Sequence, residues 1–184
     1  LQGSGPDTTT NPTETNVLID TTVESLKLPG TRPAEGLRRA SQDVAGLTEF
    51  VIVNEQNEPI PAVQVLDELE FNPGSPVTQS IQEVRLISNQ AGSPLIWLEF
   101  VDIDTMRGGF FAWETSMVGE LARFYGFSQG TVTFSDAVVA GVDVRVARVN
   151  GETRLLYGFL DENTLLIAPD TTSFASIATH GRAE

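Results

Sequence analysis

The sequence predicts an α+β fold: an antiparallel sheet, made of a hairpin plus a C-terminal three-strand meander, packed by several short helices. Three observations carry this. Val142, Val144 and Val146 alternate with Asp143 and Arg145 ahead of Asn150-Gly151, a dipeptide suited to a two-residue hairpin. Leu95 to Phe100 is apolar on both faces, as a central strand must be. Between the strands lie short runs with helically spaced apolar residues, bounded by Pro, Gly and Asp. With 184 residues, 40% of them hydrophobic, the chain can bury a sizeable core. It reads as a low-complexity leader over residues 1–43 and a single α+β domain over 44–184.

In chain order, Gly3 to Thr15 is rich in Gly, Pro, Thr and Asp and reads as a linker. Within residues 16–28, Val17, Ile19, Thr21 and Val23 alternate with polar positions, the pattern of a short strand or a docking peptide. Pro29-Gly30 stops it, and Pro33 to Gly46 carries a polar helical pattern. Phe50 to Val53 is a β run closed by the Asn57-Glu58-Pro59 turn. Pro61 suits the first turn of a helix with Val63, Leu66 and Leu69 on one side. Ser75 as N-cap and Pro76 after it open a further helix, with Val77, Ile81 and Val84 at spacings of four and three. A hairpin follows, with Val84 to Ser88 and Pro94 to Val101 flanking a turn over residues 89–93.

Asp104 is placed to cap a helix carrying Met106, Phe110 and Trp113; Met117, Leu121 and Phe124 form the next one, closed by Gly126. Gly108-Gly109 inside the first costs roughly 1 kcal/mol per glycine, which implies either close packing or access for a ligand. After the Asn150-Gly151 hairpin, Asp161-Glu162-Asn163 turns the chain into Thr164 to Ala168, and Asp170 or Thr171 caps a last helix with Phe174 and Ile177. Leu98 to Phe111 and Leu165 to Phe174 both run strand, Asp-Thr, helix after a hairpin. A duplication would give the sheet a pseudo-twofold axis; capped strand-to-helix turns are common and explain the echo more simply.

Composition narrows the chemistry. The chain has no cysteine, one histidine (His180) and one lysine (Lys27). Thiol nucleophiles, histidine triads, Cys/His zinc sites, lysine Schiff bases and P-loops therefore lack their residues in the domain. The formal charge is −14, and residues 44–184 alone hold 19 acids against seven arginines. Such a surface repels nucleic acid and anionic lipid, so neither is an expected partner. Ten of the eleven cations are arginine, a bias that reads as lineage before function. His180 reads as a solvated terminal residue.

Carboxylates are the catalysts left. Glu99, Asp102, Asp104 and Glu114 fall around one strand end and the helix after it, and a pair of them could act as general acid and base. Against this, Asp104 has a capping role, and no aromatic carbohydrate platform surrounds the acids. The Asp-Thr pairs at Asp20, Asp104 and Asp170 lack the following glycine of aspartic proteases. Asp102-Ile103-Asp104 and Asp161-Glu162-Asn163 lack the spacing of a calcium loop, so no metal or cofactor is expected. Phe110, Phe111 and Trp113 cover too much of one helix for all to point inward, so part of this cluster is a candidate interaction patch.

The segments Gly109-Phe110-Phe111-Ala112-Trp113-Glu114-Thr115-Ser116-Met117 and Leu155 to Phe174 resemble an uncharacterised bacterial family of Patescibacteria-like genomes. The resemblance covers roughly Phe50 onward, and the single lysine departs from lysine-rich members. It implies a membrane-anchored, extracytoplasmic α+β domain and carries over no catalytic residue.

The expected function is a non-enzymatic, cell-envelope-associated interaction or assembly module, tethered by its leader. Its partner would be a protein or a second copy, met through Val17, Ile19 and Val23 or through Phe110, Phe111 and Trp113. The alternatives are a small hydrolase using Glu99, Asp102 and Glu114, and a monomeric ligand-binding domain. Convergent buried carboxylates would favour the first, a closed apolar pocket the second, and an exposed Phe111/Trp113 patch the interaction module.

Overall fold

Every residue of β4 (Leu95–Phe100) and β8 (Thr164–Ala168) is buried except the half-buried Glu99, and these two strands lie side by side at the centre of an eight-stranded sheet. The structure is a computed structural model that describes residues 22–27, 33–40, 44, 46–89 and 94–180. Val17, Ile19, the linker and most of the turn over 89–93 lie outside those residues, as does the side chain of His180.

The described chain runs β1 (Thr22–Lys27), α1 (Pro33–Ala40), β2 (Leu47–Val53), α2 (Ala62–Glu68), α3 (Ser75–Ser80), β3 (Ile81–Asn89) and β4. It continues with α4 (Ile103–Tyr125), β5 (Val132–Val139), β6 (Val142–Val149), β7 (Glu152–Phe159), β8 and α5 (Thr171–His180). The strand order is β1-β2-β3-β4-β8-β7-β6-β5. Only β1 and β2 pair in parallel; every other neighbouring pair is antiparallel. The fold is α+β with a mostly antiparallel sheet. Val23, from the candidate docking strand, sits in β1 opposite Glu49 of the same chain.

Period-two alternation sorts the strand residues onto two faces. Leu86, Ile96, Leu98, Leu165 and Ile167 pack beneath α2, α3 and α4. Ile87, Leu95, Trp97, Leu156 and Leu166 pack against Phe174 and Ile177 of α5 on the other face. Fully buried Phe110 and Phe174, one per face, each stabilise by about 2–3 kcal/mol.

Several expectations are corrected. The two helices expected after β4 are one helix of 23 residues, α4. At 1.5 Å per residue it is about 35 Å long, enough to carry the chain from the sheet's centre to its far edge. Its N-cap is Asp102, not Asp104: the Asp102 carboxylate accepts from the N–H groups of Asp104 (3.0 Å) and Thr105 (3.2 Å). Asp104 occupies the first turn, where the helix dipole favours an acid. Gly126 closes α4 in the left-handed conformation (φ 73°), as its sequence position suggests.

The C-terminal meander has four strands, because β5 precedes the three expected. In α2 the buried side is Ala62, Val65, Leu66 and the following Leu69, while Val63 is exposed. The Val77/Ile81/Val84 stripe crosses from α3 into β3, because Ile81 is already extended, and Gly74 rather than Ser75 is the N-cap.

The echo between the halves does not produce a twofold axis. An axis relating antiparallel neighbours such as β4 and β8 must run perpendicular to the sheet, which leaves each face mapped onto itself. The helices that follow them, α4 and α5, lie on opposite faces.

Candidate functional site

The carboxylates that the sequence groups together are separated by the sheet. Glu99 shares the α5-side face with Trp97, opposite Glu83 of β3 and Thr164 of β8. Glu114 projects from α4 onto β6 and β7 on the other face. Asp102 is occupied as a cap and also accepts from the Thr105 hydroxyl at 2.7 Å; these bonds hold its pKa low. No two of the three share a space where one substrate atom could meet both.

Glu99 sits in a polar cluster. Arg85 donates to Glu83 (2.7 and 3.1 Å) and to the fully buried Glu49 (2.9 Å). Burial pulls the Arg85 pKa down, and hydrogen bonds and charge from Glu83 and Glu49 more than reverse it. Burial, then the facing Glu83 carboxylate, raise the Glu99 pKa, with Arg85 pulling the other way. A cleft of about 290 Å³ with Ile60 and Gln82 in its wall opens beside Glu83 and Glu99.

The larger cleft, about 540 Å³, lies on the α4 face between the N-terminal half of α4 and strands β5 to β7. Strand register builds its floor: Asp136 of β5 stands opposite Arg145 of β6, which stands opposite Tyr157 of β7. Glu114 reaches down from α4 and closes the row. Arg145 grips it through two parallel bonds of 2.8 Å, donates to Asp136 at 2.9 Å, and Tyr157 donates its hydroxyl to Glu114 at 2.8 Å. The hydrogen bond Arg145 donates to Glu114 is the first cause of its raised pKa; burial, then the Glu114 bond and charge, raise that of Tyr157. The planar guanidinium suits this fork and also stacks over the rings of Phe111 (5.1 Å) and Phe134 (5.7 Å).

Above that hydrogen-bonded floor, apolar side chains make much of the wall, with Asp143 also in the lining. Phe111 and Val138 are 57% and 67% exposed, and Phe159 forms the inner wall with Arg107 stacked over its ring at 5.6 Å. Of the aromatic cluster predicted on α4, Phe110 and Trp113 are core residues, and Phe111 alone faces the cleft. Phe110 and Trp113 meet edge to face at 5.3 Å, and the Trp113 indole donates to Glu120 at 2.8 Å. Arg107, Asp136, Val138, Arg145 and Tyr157 were not singled out from the sequence. The alternation around Arg145 was visible there, but its meaning depends on β5.

Among the described residues no group of three or more His, Cys, Asp or Glu stands close enough to hold a metal ion, and no helix is long and apolar enough to cross a membrane. The cleft offers shape, two stacked guanidinium groups and apolar walls, with its central acid held by three hydrogen bonds. Comparisons with protein-family models, curated proteins and solved structures find no match to this chain.

Proposed function

We propose that the chain is a non-enzymatic interaction module that docks a polypeptide across the cleft between α4 and β5. One observation carries the reading: Phe111 and Val138, large apolar residues more than half exposed, flank a cleft whose buried-side charges are already paired with one another. Large exposed apolar residues grouped at the rim of one cleft are what a docking surface offers. The Thr/Pro-rich leader supports a tethered, cell-envelope-associated placement, with the domain presented outward.

The test is selection of random displayed peptides on the immobilised full chain and on Phe111→Asp. Apolar peptides that bind the former and lose the latter are the expected result. An unselective outcome on both would overturn the reading.

A second reading has one observation behind it. Glu99, with its pKa raised by burial beside Glu83, is a carboxyl suited to donating a proton. A hydrolase would then use Glu99 with Glu83, not with Asp102 or Glu114. Glycoside and ester panels assayed at acidic pH with Glu99→Gln as control would decide it, since turnover unaffected by that substitution excludes the pair.

A further inference from the structure

Sheet edges are templates for more strand, and natural edges carry protection: Lys or Pro, a bulge, an inward charge, or short length. β5 has no Lys, Pro or bulge, and it is eight residues long. It is the last strand of the sheet and holds an unbroken register with β6 from Val132↔Val149 to Val139↔Val142. Its sequence, Val-Thr-Phe-Ser-Asp-Ala-Val-Val, contains no Lys, Arg or Pro, and its single charge, Asp136, bonds Arg145 on the α4 face while its side chain stays 85% exposed. Two of its residues, Val132 (38% exposed) and Val138 (67%), leave apolar surface open on the α4 face.

We infer that β5 pairs antiparallel with β5 of a second copy of this chain, in the register that sets Ser135 opposite Ser135. The inference rests on the reading of this surface as a docking site and names its partner.

Symmetry and side-chain chemistry choose the register. A twofold axis through an antiparallel seam keeps each face on its own side, so even-numbered residues of one copy must face even-numbered residues of the other. Centring the seam on Asp136 sets two carboxylates directly against each other, which is destabilising. A centre at Phe134 puts Val132 against Asp136 and leaves Val138 beyond the pairing. If Ala137 is central, Val138 falls against Asp136. Only the Ser135 centre lays Val132 of each copy against Val138 of the other, covering both exposed valines at once; Phe134 then stands directly opposite Asp136, and the covering of both valines is what selects this register. In that seam Val132 of the second copy also walls the open side of the Val138 cleft. Each copy carries a formal charge of −14, so association is opposed by long-range repulsion that salt screens.

The absence of cysteine makes the register directly readable. Directly opposed residues have Cα atoms about 4.5–5.5 Å apart, inside the roughly 4.4–6.8 Å that a disulfide spans. Full-length Ser135→Cys should oxidise to a covalent dimer, while Thr133→Cys and Ala137→Cys, each four positions along the seam from its own counterpart, should not. Unmodified chain should show a mass by sedimentation that rises with concentration and rises further with salt. Cross-linking through Thr133→Cys or Ala137→Cys as readily as through Ser135→Cys would overturn the register and the inference. So would a wild-type mass that stays monomeric at every concentration and salt, a result that holds even if Ser135→Cys, which loses the Arg148 bond to the Ser135 hydroxyl, folds poorly. A monomeric chain that still selects apolar peptides through Phe111 loses the self-pairing and keeps the docking cleft. If it selects none, both fall.

Discussion

The two adjacent glycines of α4 should respond oppositely to alanine. In a helix interior glycine costs about 1 kcal/mol relative to alanine, mainly through backbone entropy. A Cβ added at Gly108 meets nothing within 4 Å, so Gly108→Ala should stabilise by about that amount. A Cβ at Gly109 would stand 1.9 Å from Cγ2 of Val77 on α3, well inside contact distance. Val77 is only 1% exposed and β-branched, so it has neither free space nor an easy rotamer to retreat into. Overpacking of this kind costs about 1–3 kcal/mol.

Since the propensity gain is common to both variants, their difference isolates the clash and should be about 1–3 kcal/mol, Gly109→Ala being the less stable. Urea unfolding followed by tryptophan fluorescence reads it, through Trp97 and Trp113, both in the core. For a chain this size the difference corresponds to roughly 2–4 °C in Tm per kcal/mol. Repeating both substitutions in Val77→Ala removes Cγ2 and leaves only Cβ at 3.4 Å. There the two alanines should converge, with a coupling energy equal to the clash. Equal effects of Gly108→Ala and Gly109→Ala in the parent chain would refute the packing argument and return the glycine pair to a role in ligand access.

The remaining predictions concern the polar cluster on the opposite face. The raised pKa of Glu99 means that folding favours its protonated form. That stabilisation is complete below the ordinary carboxylate pKa of about 4.3 and is lost as pH rises through the raised value. Glu99→Gln should therefore flatten a fall in unfolding free energy that the parent chain shows across this window, measured by urea midpoints at stepped pH; an unchanged slope contradicts the assignment. Arg85→Ala removes a guanidinium from the fully buried Glu49 and should destabilise by about 3–5 kcal/mol, and a loss under 1 kcal/mol in the same assay would show that the pair is not what holds Glu49 in place.

What was legible in the sequence, and what was not, follows from the range over which each signal acts. Asn150-Gly151 adopts positive φ at both positions (54° and 87°), the conformation its two residue types favour, so that hairpin was readable from two letters. The β5–β6 turn has the same shape at Ala140-Gly141 (φ 50° and 74°), but alanine rarely takes a left-handed conformation and gives no such signal. With the turn hidden, β5 was hidden, and with it the edge, the cleft and the pairing of Asp136 with Arg145. The continuity of α4 was masked by its glycines and by Thr115-Ser116, which propensity alone reads as a break. The grouping of Glu99 with Glu114 failed for a different reason. β4 is apolar on both faces, so alternation shows that Trp97 and Glu99 share a side but cannot show which side α4 will cover. That choice is made by packing over the whole sheet.

The arginine bias acquires physical content at two positions. Arg85 holds Glu83 and Glu49, and Arg145 holds Glu114 and Asp136, each through a two-bond fork to one carboxylate and a third bond to another. A lysine ammonium is a point charge on a flexible stem and cannot reproduce that planar geometry. At position 145 it would also lose the stacking on Phe111 and Phe134. In so acidic a domain the consequence reaches the cleft. With Arg145 in place, Glu114 and Asp136 are both hydrogen-bonded to one cation, and the trio beneath Phe111 and Val138 keeps a single net negative charge. A strongly acidic chain can therefore keep Phe111 and Val138 exposed above Glu114 and Asp136, because both carboxylates are bonded by a group that matches their geometry.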